Sequence, residues 1–128
     1  QGRTDTVLGR IKTCTQIRDA VCHADYVQES VPDSYEIKKQ VFKEMDGAAP
    51  GHAILASSSS GLLMTEIQKA TKRPQRCVLV HPVLPVHLIP LVEIAGGGQT
   101  SRETLMAAHG LMKNLGKVPV LLKREVSG

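Results

Sequence analysis

Apolar and polar positions along the chain alternate between two periods, and each switch marks a change of element. Thr13-x-x-Gln16 has capping-box spacing, and Ile17, Ala20 and Val21 follow at helical spacing, predicting a short helix that ends near His23. Residues 26–31 (Tyr-Val-Gln-Glu-Ser-Val) read as a strand that stops at Pro32. Asp33-x-x-Glu36 is a second capping box. It opens a helix with Ile37, Val41 and Met45 on one face, ended by Gly47 and Pro50. Residues 52–56 form a buried-type strand running into Ser57, Ser58, Ser59 and Ser60.

A short helix over about 65–71, closed by Pro74, precedes a strand at 76–80, apolar after Arg76, that His81 and Pro82 halt. Pro82, Pro85 and Pro90 make 83–90 a rigid loop. A strand at 91–95 ends in Gly96-Gly97-Gly98, and Thr100-x-x-Glu103 caps a helix with Leu105, Ala108, Leu111 and Leu115 on its core side. Gly116 terminates that helix, and 118–123 makes a last strand, which Pro119 assigns to a sheet edge. Near-continuous apolar strands, each followed by a helix, predict an α/β fold with a mostly parallel sheet flanked by helices. Strands are expected near Tyr26, Ile54, Val78, Val92 and Leu121, the first three parallel. Chemistry in such sheets gathers at strand C-termini, here at 30–33, at 57–60 and from His81 onward.

A chain of 128 residues, 41% of them hydrophobic, is one domain with one core. With one Phe, two Tyr and no Trp, that core is built from Val, Ile, Leu, Ala and Met. The same shortage removes the aromatic platforms of single-strand nucleic-acid binders. Net charge is +4, with sixteen Lys and Arg scattered among twelve carboxylates. Lys72-Arg73-Pro74-Gln75-Arg76 is the densest basic stretch, either a solvated turn or a phosphate-gripping patch. No nucleic-acid or membrane partner is expected. Cys14, Cys22 and Cys77 form no CxxC, and their odd count points to a reducing compartment, hence a cytoplasmic location. No apolar run approaches 18 residues. Gln1, where an initiator Met would stand, reads as the start of a cut piece.

His81 sits at the end of a buried strand and Glu93 lies twelve residues on, in the next strand. A histidine held by a carboxylate is a general base poised near neutral pH; the alternative is a structural, hydrogen-bonded histidine. The serine run offers hydroxyls and amides to a ligand, or is a polar loop with a helix cap. It forms no GxSxG elbow, which counts against a serine hydrolase. Gly96-Gly97-Gly98-Gln99-Thr100-Ser101 lacks the third glycine of a dinucleotide fingerprint and reads as a flexible strand-to-helix turn. His81 and His87 have no third partner at metal-ligand spacing, so no metal is expected. His23, His52 and His109 read as surface or helix-end residues.

Five segments in register change this picture. Gly9-Arg10-Ile11-Lys12-Thr13, Ala24-Asp25-Tyr26-Val27-Gln28-Glu29-Ser30-Val31-Pro32-Asp33, Ala53-Ile54-Leu55-Ala56-Ser57-Ser58-Ser59-Ser60-Gly61-Leu62, His81-Pro82-Val83-Leu84-Pro85 and Ile89-Pro90-Leu91-Val92-Glu93 together resemble the 3-hydroxyacyl-CoA dehydrogenase family. Within it the chain looks nearest the branch holding lambda-crystallin (L-gulonate 3-dehydrogenase) and L-carnitine dehydrogenase. The resemblance runs from about Gly9 to Gly128. It implies a partial Rossmann-like fold and NAD-dependent oxidation of a secondary alcohol at C3. It makes His81 the base, Glu93 the carboxylate orienting it, and Ser60 the hydroxyl on the reacting oxygen. Ser30, Asp33 and Lys38 fall on the stretch bordering the cofactor, and Ser58 on a cofactor-side position.

Leu84 stands where the family usually has Asn. The GxGxxG unit and the family's C-terminal helical domain are not found in these residues, so 1–128 reads as the C-terminal portion of the NAD-binding domain. The implied partners are a 3-hydroxy small molecule or acyl-CoA, and a homodimer mate or companion domain. On its own the chain is expected to be a weak or inactive dehydrogenase. Two other readings stay open: a non-catalytic α/β module acting by self-association or partner binding, and an acyl-CoA binder without redox chemistry.

Overall fold

The computed structural model describes residues 2–126, with side chains from residue 5 onward. The elements are α1 (Gly2–Leu8), α2 (Ile17–Val21), β1 (Tyr26–Glu29), α3 (Tyr35–Ala48), β2 (Ile54–Ser57), α4 (Met64–Ile67), β3 (Cys77–Pro82), β4 (Leu91–Gly96), α5 (Arg102–Asn114) and β5 (Val118–Leu121). Two short 3-10 turns, Gln68–Ala70 and Pro74–Arg76, lie between α4 and β3. The strands form one sheet in chain order. β1, β2 and β3 are parallel, as predicted; β4 runs antiparallel to β3, and β5 runs parallel to β4 at the edge that Pro119 indicated.

The reversal at β4 decides the layering. Right-handed crossovers that step the same way across a sheet lie on one face while the strands keep one direction, and on the other face once it flips. Accordingly α2, α3 and α4 share one face, where Val21, Phe42, Met45, Met64 and Ile67 pack on Leu55, Cys77, Leu79 and Ala95. α5 covers the opposite face, with Ala108 and Met112 against Ala56, Val78, Val80, Val92 and Ile94. The helices on the first face therefore sit over β1–β3 and leave its β4–β5 side open. β3 is followed by the proline loop expected over 83–90 and then by a reversed strand.

The helix starts are displaced from the expected capping boxes. Ser34, not Asp33, caps α3, its Oγ accepting from Ile37 N at 3.3 Å. The buried stripe of α3 is Lys38, Phe42 and Met45, while Ile37 is 43% exposed. Likewise Ser101, not Thr100, caps α5, accepting from Thr104 N at 3.1 Å. Thr104, Ala108 and Met112 are buried there, Leu105 and Leu111 pack beside them, and Leu115 is exposed. Thr100 instead donates to Cys77 O at 2.6 Å and accepts from Gly97 N. The Thr13 box does not form: Gln16 holds the N-cap position of α2 without a side-chain cap.

β3 runs through His81 and Pro82. Pro82 is tolerated because β2 pairs only as far as Leu79, so the missing N–H breaks no ladder on that side. The basic stretch divides. Lys72 and Arg73 are exposed, whereas Arg76 is buried, donating to Asp46 O (2.9 Å), Asp46 Oδ1 (3.0 Å) and Pro50 O. Arg76 thus caps the C-terminal end of α3, where a cation faces the helix dipole and unpaired carbonyls. The solvated-turn reading fails for this residue.

Candidate functional site

The four serines from the last residue of β2 onward, Ser57 to Ser60, have four different surroundings. Ser57 Oγ is buried and donates to Glu29 Oε1 at 2.7 Å. Ser58 Oγ lies 2.7 Å from Ser30 Oγ and accepts from Gln28 Nε2 at 2.7 Å. Ser59 Oγ donates to Asp33 Oδ1 at 3.0 Å and accepts from Leu62 N at 3.1 Å, capping the next turn. Ser60 Oγ has no hydrogen-bond partner among the described residues and lines a cleft of about 430 Å³.

That cleft occupies the open part of the first face. Leu79, Leu91, Ala95, Val120, Leu122 and Val126 make it apolar, and Ser60, His81 and Glu93 are its polar groups. A mostly apolar concavity with a few convergent polar groups is the usual form of a small-molecule site. His81 and Glu93 are directly opposite each other in the β3–β4 register, which keeps Cβ atoms about 4.5–5.5 Å apart. They make no direct hydrogen bond with one another. Instead His81 Nδ1 lies 3.2 Å from Ser58 O. A carbonyl only accepts, so Nδ1 carries the proton in the neutral ring and Nε2 keeps its lone pair.

The expected cofactor-side residues separate into two groups. Ser30 and Ser58 sit together at the ends of β1 and β2, whereas Asp33, half-exposed, accepts from Ser59 Oγ at 3.0 Å. Hydroxyls and a carboxylate of this kind suit ribose hydroxyls and a carboxamide. Lys38 does not join them. It is buried, with Nζ 2.6 Å from Glu29 Oε2, 2.9 Å from Val31 O and 3.6 Å from Asp33 Oδ1. Its donors are directed inward.

The glycine turn after β4 is at the opposite end of the sheet from His81, because β4 is reversed. Its amides are already taken: Gly97 N by Thr100 Oγ1, Gly98 N by Thr65 Oγ1 and Gln99 N by Gln68 Oε1. A Cβ on Gly97 would meet Gln68 Oε1 at 2.2 Å and Thr65 N at 2.8 Å. The turn is a packed joint rather than a flexible one. Leu84 is 73% exposed in the loop after β3 and does not line the cleft.

Local pattern does not single out Glu29 or Gln28, and it places Ser57 in the serine run without a role of its own. A signal existed for Glu29: a carboxylate ending a buried strand, with a lysine nine residues on in the next helix. Gln28 Nε2 also donates to Val80 O at 2.8 Å, and Tyr26 OH donates to Gln28 Oε1. Burial pushes the Tyr26 phenol far above its ordinary range, so it stays a neutral donor. Burial likewise pushes the Cys77 thiol up to about 11. Glu125 closes the N-terminal end of α4 from the far end of the chain, accepting from Thr65 N at 2.8 Å and from Thr65 Oγ1. No group of three or more metal-ligating side chains occurs among the described residues. No described helix is long and apolar enough to cross a membrane.

Residues 1–126 match the family model described as the NAD binding domain of 3-hydroxyacyl-CoA dehydrogenase. L-carnitine dehydrogenase of Mesorhizobium japonicum is 42% identical over 119 residues, which is 92% of this chain and 33% of that protein. L-carnitine dehydrogenase of a Pseudomonas species is 41% identical over 93% of this chain and 37% of its own length. The chain thus spans about a third of the length of these curated relatives. The crystal structure of (S)-3-hydroxybutyryl-CoA dehydrogenase from Ralstonia eutropha superposes with a TM-score of 0.87 at 34% identity, covering 94% of this chain and 42% of that one. The sheet is accordingly Rossmann-like. The chain belongs to the 3-hydroxyacyl-CoA dehydrogenase family, within its NAD-binding domain.

Proposed function

We propose that this chain supplies the acid–base half of an NAD-dependent dehydrogenase acting on the 3-hydroxyl of an L-3-hydroxyacyl-CoA or a small 3-hydroxy acid of the carnitine or gulonate type. The observation that carries the reading is the meeting of His81, Glu93 and Ser60 on one apolar cleft, with His81 Nδ1 engaged elsewhere. His81 Nε2 takes the proton of the substrate hydroxyl. Glu93, facing the ring across the strand pair, stabilises the imidazolium that results, and the apolar lining strengthens that attraction by excluding water. Ser60, without a hydrogen-bond partner among the described residues, hydrogen-bonds the reacting oxygen. Bound NAD would accept the hydride from the carbon that bears that oxygen.

Ser30, Ser58 and Asp33 would hold the nicotinamide end of that cofactor. Lys38 acts one step behind them, fixing the loop that carries Ser30 and Asp33. The pyrophosphate end needs free amides at a helix N-terminus, and the glycine turn has none to give. We therefore assign residues 1–128 to the C-terminal portion of the NAD-binding domain, with the GxGxxG strand pairing along the open edge of β1. The same open edge would serve the alternative reading, a non-catalytic module that associates through it.

The test is NADH formation by the enzyme containing this chain, with L-carnitine, L-gulonate and L-3-hydroxybutyryl-CoA as substrates. His81→Gln is expected to lower kcat by about 10²-fold or more while leaving NADH affinity intact. The 128-residue chain alone is expected to bind NADH more weakly than micromolar. Full activity in His81→Gln overturns the catalytic assignment, and absence of turnover on all three substrates favours the binding module.

A further inference from the structure

We propose that Ser57, Glu29 and Lys38 are positioning residues for His81, acting through a single peptide group; this rests on the reading of His81 as the base. The Ser58–Ser59 peptide has a polar group on each side. Its carbonyl, Ser58 O, faces His81 Nδ1 at 3.2 Å, and its N–H, on Ser59, donates to Ser57 Oγ at 3.3 Å. A peptide unit is planar and stiff, so whatever holds the N–H also aims the carbonyl. Ser57 Oγ donates in turn to Glu29 Oε1 at 2.7 Å, and Glu29 Oε2 accepts from Lys38 Nζ at 2.6 Å.

The direction of every bond in this series follows from its far end. Held by Lys38, Glu29 is a carboxylate and can only accept. Ser57 must therefore donate to it, which leaves the Ser57 lone pairs for the Ser59 N–H. That N–H being engaged, the opposed carbonyl is aimed at the histidine and selects the Nδ1–H tautomer. Nε2 is then the unprotonated nitrogen available to the cleft. Ser57, Glu29 and Lys38 are all buried, so water does not compete for these bonds. The path runs from α3 through β1 and β2 to β3, and none of its first three members lines the cleft.

The experiment is Ser57→Ala, read by long-range proton–nitrogen spectra of the His81 imidazole in the 128-residue chain, and by kinetics in the complete enzyme. The wild-type neutral ring is expected as the Nδ1–H tautomer, with a mixture containing the Nε2–H form in Ser57→Ala. kcat should fall about five- to tenfold, the worth of one neutral hydrogen bond, with KM for NAD within about twofold of wild type. A paired Glu29→Gln, Lys38→Met variant removes the charges together and should shift the tautomer the same way, which covers the case in which Ser57→Ala does not fold. A wild-type Nε2–H tautomer, or a His81 spectrum unchanged in both variants, overturns the proposal. Because the tautomer is read without turnover, that failure is distinct from full activity in His81→Gln, which would sink the catalytic reading itself.

Discussion

Lys38→Met should be among the most destabilising single changes in this chain, and the reason is the carboxylate it leaves behind. Lys38 and Glu29 side chains are each 1% exposed. Without the ammonium, Glu29 keeps its bonds from Ser57 Oγ and Val31 N, both at 2.7 Å, but its charge has no cation. Val31 O loses a donor at the same time. Stranding one partner of a buried pair costs about 3–5 kcal/mol. For a chain of 128 residues the unfolding entropy is roughly 0.27 kcal/mol/K, so Tm should drop by about 11–18 °C. Removing both charges, Lys38→Met with Glu29→Gln, leaves polar groups that can still pair and should be more stable than either single variant. Urea titration followed by circular dichroism measures all four corners of the cycle, since the chain has no Trp to report by fluorescence. A loss below about 1 kcal/mol in Lys38→Met, or a double variant weaker than both singles, would refute the reasoning.

Arg76→Met should cost about 3–5 kcal/mol by the same logic, because Asp46 and the carbonyls ending α3 lose their cation; urea midpoints would show it, with Asp46→Asn milder. Stability should fall as pH rises from about 9 to 11. The Cys77 thiol is held at about 11 in the fold against 9.0 for the free group, so across that window the unfolded chain has lost a proton that the native chain keeps. Two units correspond to about 2–3 kcal/mol, and Cys77→Ala should reduce the slope of stability against pH there; an unchanged slope would remove Cys77 as its source. Leu84→Asn, at an exposed loop position, should leave stability within about 0.5 kcal/mol of wild type by the same titration.

Much of this architecture can be read from local pattern. Period and punctuation locate all five strands, Pro119 assigns the last to an edge, and the C-terminal ends of parallel strands single out the serine run and His81. These inferences succeed because side-chain period and proline geometry act within a few residues. Helix phase was harder, since Asp33 and Ser34, and again Thr100 and Ser101, are adjacent residues that can each cap; the neighbouring packing chose the second of each pair. Arg76 looked solvated because its partner, Asp46, is thirty residues away.

The site itself was decided by the fold. An apolar strand carries no mark of its direction, and the loop over 83–90 could join β3 to a strand running either way. Because β4 turns back, His81 comes opposite Glu93 and α5 is carried to the far face. The near face is left open over β4 and β5, and that opening is the cleft. Register and handedness are properties of the assembled sheet, where each strand is placed by hydrogen bonds to segments distant in the chain.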